Sequence, residues 1–112
     1  MEVSEMVETP DSIMEELYIV VQERARSPEP GSYTNYLLDK GLDKILSSFG
    51  TQALEIIIAA KSGRKSRIVD ESADLIYHLI VLLAASDIPL SDLSAELRKR
   101  RSFSETSSDP YG

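Results

Sequence analysis

Apolar residues recur along the chain at intervals of three and four positions, which is the spacing of one face of an α-helix. Three stretches carry this pattern, namely residues 13–21, 42–58 and 68–83. Strands would instead alternate apolar and polar residues, and no stretch of the sequence does so. The pattern therefore predicts an all-α protein.

Capping residues and helix breakers divide the pattern into separate helices. Asp11 or Ser12 is the predicted N-cap of a first helix. This helix should end near Arg26, because the following segment SPEPGSY contains two prolines and a glycine. Thr34 is predicted to cap a short helix that ends at Lys40.

Two long helices should follow, over residues 42–61 and 65–86, with Gly63 between them as a left-handed C-terminal cap. A turn this short predicts that the two helices pack antiparallel as a hairpin. A last helix is expected after Pro89 and Ser91, ending in the basic residues 98–101. The expected fold is an antiparallel helical hairpin or bundle of four to five helices.

Composition narrows the class of protein further. The chain has 112 residues, no cysteine and a formal net charge of −7. One domain is expected at this length, over residues 11–101, between flexible tails at residues 1–10 and 102–112. The acidic balance makes nucleic acid an unfavourable partner. No run is apolar enough to span a bilayer, and the acidic start does not resemble a signal peptide, so a cytoplasmic protein without membrane contact is expected.

Polar residues on the two hairpin helices are spaced symmetrically about the turn. Glu55 and Glu71 each lie eight positions from Gly63, and Gln52 and Asp74 each lie eleven positions from it. Residues at equal distances from the turn lie at the same height in a hairpin. The count therefore predicts that Glu55 lies opposite Glu71, that Gln52 lies opposite Asp74, and that the four side chains form one site. Oxygen ligands without histidine or cysteine favour Mg²⁺, with Mn²⁺ as an alternative. The competing interpretation is that the carboxylates simply mark the solvated face of a helix.

The chain resembles a known family in several segments. They are Gly31-Ser32-Tyr33-Thr34, Leu37-Leu38, Gly41, Lys44-Ile45, Gly50, Ala53, Glu55, Ile58-Ala59-Ala60-Lys61 and Glu71-Ser72-Ala73-Asp74-Leu75-Ile76-Tyr77-His78. Over about residues 14–101 the sequence is similar to phosphoribosyl-ATP pyrophosphohydrolases. These enzymes of histidine biosynthesis belong to the all-α nucleoside triphosphate pyrophosphohydrolase (MazG-like) superfamily.

The resemblance implies a reaction and a set of catalytic residues. Water would attack phosphoribosyl-ATP between its α- and β-phosphates, giving phosphoribosyl-AMP and pyrophosphate. The family holds Mg²⁺ with an ExxE on one helix and an ExxD on the next, and Glu55, Glu71 and Asp74 match these acids. One of them would also accept the proton of the attacking water. Lys44 and Lys61 occupy family-matching positions and are the candidates for binding substrate phosphate, although a lysine at a helix end is often only solvated.

The chain departs from the family at one place. Members usually have Gly-Glu-Glu-x-x-Glu where this sequence has Gly50, Thr51, Gln52 and then Glu55. Gln52 can still offer a neutral carbonyl oxygen as a metal ligand, but one negative charge is lost. Retained and weakened hydrolysis of phosphoribosyl-ATP is the leading hypothesis. The alternatives are hydrolysis of other nucleoside triphosphates, or a helical dimer that has lost catalysis and serves as a binding or structural module.

Three further residues or segments bear on function. Tyr33 is interpreted either as a residue that stacks on a base or as a loop anchor. His78 is expected to be a hydrogen-bonded packing residue between helices rather than a proton carrier. Residues 75–85 are hydrophobic almost all the way round, which indicates burial on every side and hence a partner subunit. The resemblance likewise implies a homodimer.

Overall fold

The computed structural model describes the backbone of residues 10–106 and the side chains of residues 13–101. Within that range the chain forms five helices and no strand. They are α1 (Pro10–Arg26), α2 (Tyr33–Lys40), α3 (Leu42–Ser62), α4 (Lys65–Ala85) and α5 (Leu90–Thr106). The all-α prediction is confirmed.

The helix boundaries follow local signals, with differences at the starts of α1 and α2. Asp11 and Ser12, the predicted caps of α1, lie inside that helix, because it begins at Pro10. The residue that caps α2 is Ser32, whose backbone is extended and whose hydroxyl accepts a hydrogen bond from the Asn35 backbone N–H at 3.2 Å. Thr34, the predicted cap, lies inside the helix, where it is buried and hydrogen-bonded to the Tyr77 hydroxyl. Ser32 and Thr34 can both cap a helix, but the Thr34 hydroxyl contacts Tyr77 of α4 and is therefore not available for capping.

The outer ends of the helical region extend slightly beyond the predicted domain. Pro10 begins α1, which suits proline because a residue in the first turn needs no backbone donor. The helix α5 continues past Arg101 to Thr106, and no proline or glycine interrupts this segment. Residues 10 and 102–106 are thus helical although we expected them in the tails. The rest of the predicted tails, residues 1–9 and 107–112, lies outside the described residues.

The core lies where four helices meet. It consists of five nearly inaccessible side chains contributed by α1, α2, α3 and α4, namely Val21, Leu37, Ile45, Ile80 and Val81. The helix α4 is central, because it packs along α3 and also against α1. The core is small, and α4 contributes to it through Ile80 and Val81 in its second half.

Within residues 10–106 the helices α3 and α4 each have 21 residues, which is about the length that a membrane span needs. No single helix there is long and apolar enough to cross a membrane. The segments Lys65–Ala85 and Leu90–Arg101 satisfy length and composition only as a pair, and the chain bends by 119° between them.

Candidate active site

The turn between α3 and α4 positions the candidate site. Gly63 adopts the left-handed conformation, with φ 74° and ψ 7°, as the sequence predicts. Its N–H donates to the Ala60 carbonyl, and the Ser62 hydroxyl donates to the Ala59 carbonyl at 2.7 Å. These bonds satisfy carbonyls that the end of a helix otherwise leaves unpaired. The chain reverses within two residues, so α3 and α4 form the expected antiparallel hairpin.

Gln52 on α3 reaches across the hairpin to Glu71 on α4. Its amide nitrogen Nε2 donates to Oε1 of Glu71 at 2.5 Å and lies 3.4 Å from the Glu71 backbone carbonyl. The Glu71 side chain is only 20% exposed. A carboxylate in this setting needs a donor, and Gln52 supplies one.

Arg67 joins the two glutamates of the hairpin, which sequence reasoning did not anticipate. Its Nη2 donates to Oε2 of Glu71 at 3.4 Å and lies 3.9 Å from Oε1 of Glu55. The i, i+4 spacing from Arg67 to Glu71 is the signal that could have indicated the first of these contacts. Glu55 and Glu71 therefore converge on a single cationic group.

The contacts across the hairpin are displaced by about one helical turn from the predicted positions. Gln52 was expected to lie opposite Asp74, but it contacts Glu71. Glu55 was expected to lie opposite Glu71, and it contacts Arg67, which is one turn earlier in α4. Arg64 has an extended backbone, with φ −91° and ψ 108°, and such a residue advances the chain by about 3.3 Å instead of 1.5 Å. Counting equal steps from Gly63 omits this difference and the reach of long side chains.

Asp74 stands apart from the other acids. It is exposed, whereas Glu55 and Glu71 are half-buried, and its carboxylate forms no ion pair with Arg67 among the described side chains. Within that same part of the chain no group of three or more acidic, histidine or cysteine side chains is arranged to hold a metal ion. The structure thus joins Gln52, Glu55 and Glu71 around Arg67 and leaves Asp74 outside this cluster.

The chemistry of these side chains nevertheless fits a hard divalent cation. The carboxylates and the Gln52 amide offer oxygen donors only, and the two glutamates already face one positive group. Mg²⁺ commonly keeps several waters and binds through one or two carboxylates plus substrate phosphates. The residues present can therefore hold Mg²⁺ or Mn²⁺ as part of a ligand set that a substrate completes.

His78 links α2 to α4 next to this cluster. Its Nδ1 lies 2.8 Å from the Asp74 backbone carbonyl, which can only accept, so Nδ1 carries a proton. In the neutral ring Nε2 is then an acceptor, and the Tyr33 hydroxyl donates to it at 3.0 Å. His78 is 7% exposed. It is a buried, hydrogen-bonded packing residue, as expected.

Tyr33 is held by this bond and by aromatic neighbours. Its ring stacks against those of Tyr36 and Tyr77, with centroids 6.0 and 6.2 Å apart. About half of the side chain remains exposed. The hydroxyl bond to His78 supports the loop-anchor interpretation, while the exposed part of the ring leaves a surface on which a base can stack.

The two candidate phosphate-binding lysines lie far from each other. Lys44 is in the first turn of α3, with its Nζ 5.8 Å from the centre of the Tyr36 ring, and Lys61 is in the last turn. The helix has 21 residues and is about 30 Å long, so the two ammonium groups cannot contact one phosphate. Neither forms an ion pair with Glu55 or Glu71 among the described residues.

An all-α domain built on a two-helix hairpin, with carboxylates and an amide facing each other across it, matches known proteins along most of its length. The model of the family described as phosphoribosyl-ATP pyrophosphohydrolase matches residues 14–101. The chain belongs to this family.

Curated relatives carry the same type of name. A phosphoribosyl-ATP pyrophosphatase of Listeria monocytogenes serotype 4b is 47% identical over 97 residues, which cover 87% of this chain and 93% of that protein. One of Clostridium acetobutylicum is 46% identical over 90 residues, covering 80% and 82% respectively. One of Bacillus cytotoxicus is 44% identical over 90 residues, covering 80% and 84%.

Proposed function

We propose that this chain is an enzyme that hydrolyses phosphoribosyl-ATP to phosphoribosyl-AMP and pyrophosphate, the second step of histidine biosynthesis. The observation that carries the proposal is the family match over residues 14–101, which includes every helix that contributes to the core. The named relatives at 44–47% identity support it. Hydrolysis would break the bond between the α- and β-phosphates.

Glu55, Glu71 and Asp74 are the proposed metal ligands, and the Gln52 amide oxygen is the fourth. Gln52 would have to turn its amide, since its nitrogen now faces Glu71. One of the carboxylates would also accept the proton of the attacking water. A bound Mg²⁺ or Mn²⁺ would neutralise phosphate charge near this acidic surface and activate the water. Asp74 is exposed and one turn from Glu71, so rotation of its side chain would bring it towards the others.

Lys44 and Lys61 are the proposed phosphate contacts. Phosphoribosyl-ATP carries phosphate at two separate places, the triphosphate and the phosphoribosyl group. The distance between the two lysines along α3 suits contacts to different groups of the substrate, or to substrates in two sites of a dimer. Each lysine would supply a positive charge that the carboxylates cannot.

A homodimer in the cytoplasm is the proposed state of the enzyme. Five large apolar side chains on α3 are between 45 and 57% exposed, namely Leu42, Leu46, Leu54, Ile57 and Ile58. Contiguous apolar surface of this kind is typical of a surface that another chain covers. Light scattering on the purified chain measures the mass, and twice 12.4 kDa is expected.

Pyrophosphate release from phosphoribosyl-ATP and Mg²⁺ tests the reaction and the site together. We expect the purified chain to release pyrophosphate and the Glu71→Gln variant to lose at least roughly 10- to 100-fold of this activity, which is the loss caused by removing even a group that only orients a metal ligand. Asp70→Asn is the matched control, because it removes the same charge from the exposed neighbouring residue. Its activity should stay within about twofold.

Two results would contradict the proposal. The chain would release no pyrophosphate at any metal concentration, or Glu71→Gln and Asp70→Asn would be equally active. A panel of other nucleoside triphosphates addresses substrate choice. Faster hydrolysis of any of these than of phosphoribosyl-ATP would replace the proposed substrate but keep the reaction class.

A further inference from the structure

Arg67 is in a position that the energetics of its own helix do not favour. It is the third residue of α4, and the first turn of this helix contains no acidic residue. A positive charge near a helix N-terminus faces the positive end of the helix dipole. A basic residue that precedes its acidic partner by four positions is also the weaker of the two orientations. The contacts that favour its placement are therefore those it makes with the side chains of the hairpin.

The two glutamates of the hairpin provide those contacts. The guanidinium contacts Glu71 at 3.4 Å and Glu55 at 3.9 Å, so it spans the gap between α4 and α3. Glu55 and Glu71 are 43 and 20% exposed, and two carboxylates facing one space repel each other unless a cation lies between them. Arg67 supplies that cation from within the chain.

We propose that Arg67 is the resident counterion of Glu55 and Glu71, and that its guanidinium must move aside before these carboxylates can ligate a divalent cation. This inference rests on the proposed function, because it concerns the same carboxylates. Arg67 is then a positioning residue that sets the metal affinity of the site. It holds the carboxylates together without metal, and it competes with metal for their oxygens.

The structure also indicates how large the competition is. Arginine stays protonated at any ordinary pH, so it can release the carboxylates only by moving. Its side chain is 38% exposed and can swing into water. Ion pairs with this much exposure are weak, which limits the effect to a several-fold change in affinity rather than an abolished site.

Direct metal binding without substrate tests the proposal. Mn²⁺ is titrated into the purified chain, and free Mn²⁺ is measured by electron paramagnetic resonance. We expect Arg67→Gln to bind Mn²⁺ roughly three- to tenfold more tightly than the unmodified chain. Arg64→Gln removes the same charge three residues earlier, from the residue that precedes α4, and should change the affinity by less than about twofold.

A conservative variant separates competition from a general change in charge. Arg67→Lys keeps the charge, and because the single nitrogen Nη2 makes both contacts, an ammonium group can replace it and should leave Mn²⁺ affinity within about twofold of the unmodified chain. Thermal unfolding gives a second readout. In chelator, Arg67→Gln should melt below the unmodified chain, because the carboxylates have lost their counterion, and added Mn²⁺ should raise its melting temperature more.

Three outcomes would overturn the proposal. They are an unchanged Mn²⁺ affinity in Arg67→Gln, an equal increase in Arg64→Gln, or a melting temperature of Arg67→Gln in chelator that equals that of the unmodified chain. The pyrophosphate assay on the unmodified chain distinguishes these failures from failure of the proposed function. Release of pyrophosphate with unchanged affinity in Arg67→Gln would refute only the role of Arg67.

Discussion

The two halves of α4 lie in contrasting surroundings. Its first half carries Arg67, Glu71 and Asp74, which are partly or largely exposed, and its described ion pairs join Arg67 to Glu71 of the same helix and to Glu55 of α3. Its second half carries Ile80 and Val81, which are at most 1% exposed. Exposed ion pairs contribute about 0–1 kcal/mol each, whereas a buried aliphatic side chain contributes several times more. The buried second half of α4 therefore contributes most to stability, and the exposed first half carries the candidate site residues.

The largest expected effect comes from the buried half. Ile80→Ala should reduce the free energy of unfolding by roughly 2–5 kcal/mol, because it removes buried methylenes and leaves a cavity. Urea unfolding at fixed protein concentration measures the change. Val69→Ala, at a position 66% exposed in the other half, should stay within about 0.5 kcal/mol. Equal losses in the two variants would show that the halves do not differ in the way described.

A smaller effect is expected at the bond that ties the middle of α4 to α2. Tyr33→Phe removes the hydroxyl that donates to His78 and should cost about 1 kcal/mol in the same measurement, because a buried ring nitrogen loses its partner. Tyr36→Phe is the control on the same short helix, and its hydroxyl forms no hydrogen bond within the described residues. A loss as large in Tyr36→Phe would assign the effect to the aromatic cluster instead.

The smallest effect on stability is expected at the charged half. Gln52→Glu replaces the donor to Glu71 with a second carboxylate, which should cost a few tenths of a kcal/mol in chelator. Added metal should turn this loss of stability into a gain, because the second carboxylate becomes a further metal ligand. The Mg²⁺ concentration needed for half-maximal pyrophosphate release should therefore fall several-fold. The double variant Thr51→Glu with Gln52→Glu tests whether the chain had lost catalysis. Turnover that appears only in this double variant would favour the structural-module alternative.

Much of the fold was predictable because it depends on local signals. The starts and ends of α3 and α4, and the left-handed conformation of Gly63, follow from capping chemistry and helical periodicity within a few residues. The choice between Ser32 and Thr34 as a cap was not predictable in this way. It depends on the contact between Thr34 and Tyr77, which lie 43 positions apart in the chain.

The candidate site was predictable in its composition but not in its pairing. Symmetry about Gly63 indicated that polar side chains of α3 and α4 face one another across the hairpin, but it paired Gln52 with Asp74, whereas the contact is with Glu71. It did not reveal Arg67, because the count compared only polar residues at equal distances from Gly63, and Arg67, four positions after the turn, has Ala59 as its counterpart. The extended backbone of Arg64 changes the helix register only in part, since it adds about 1.8 Å against about 5.4 Å for a helical turn, and the reach of the Gln52 and Arg67 side chains accounts for the remainder.

The internal cation between Glu55 and Glu71 has a consequence for how the protein is handled. In domains that fold around zinc, chelators unfold the chain because metal supplies the folding energy. Here the hairpin brings its own positive charge to its acids, and its hydrophobic contacts lie elsewhere. The chain should therefore remain folded when it is purified in EDTA.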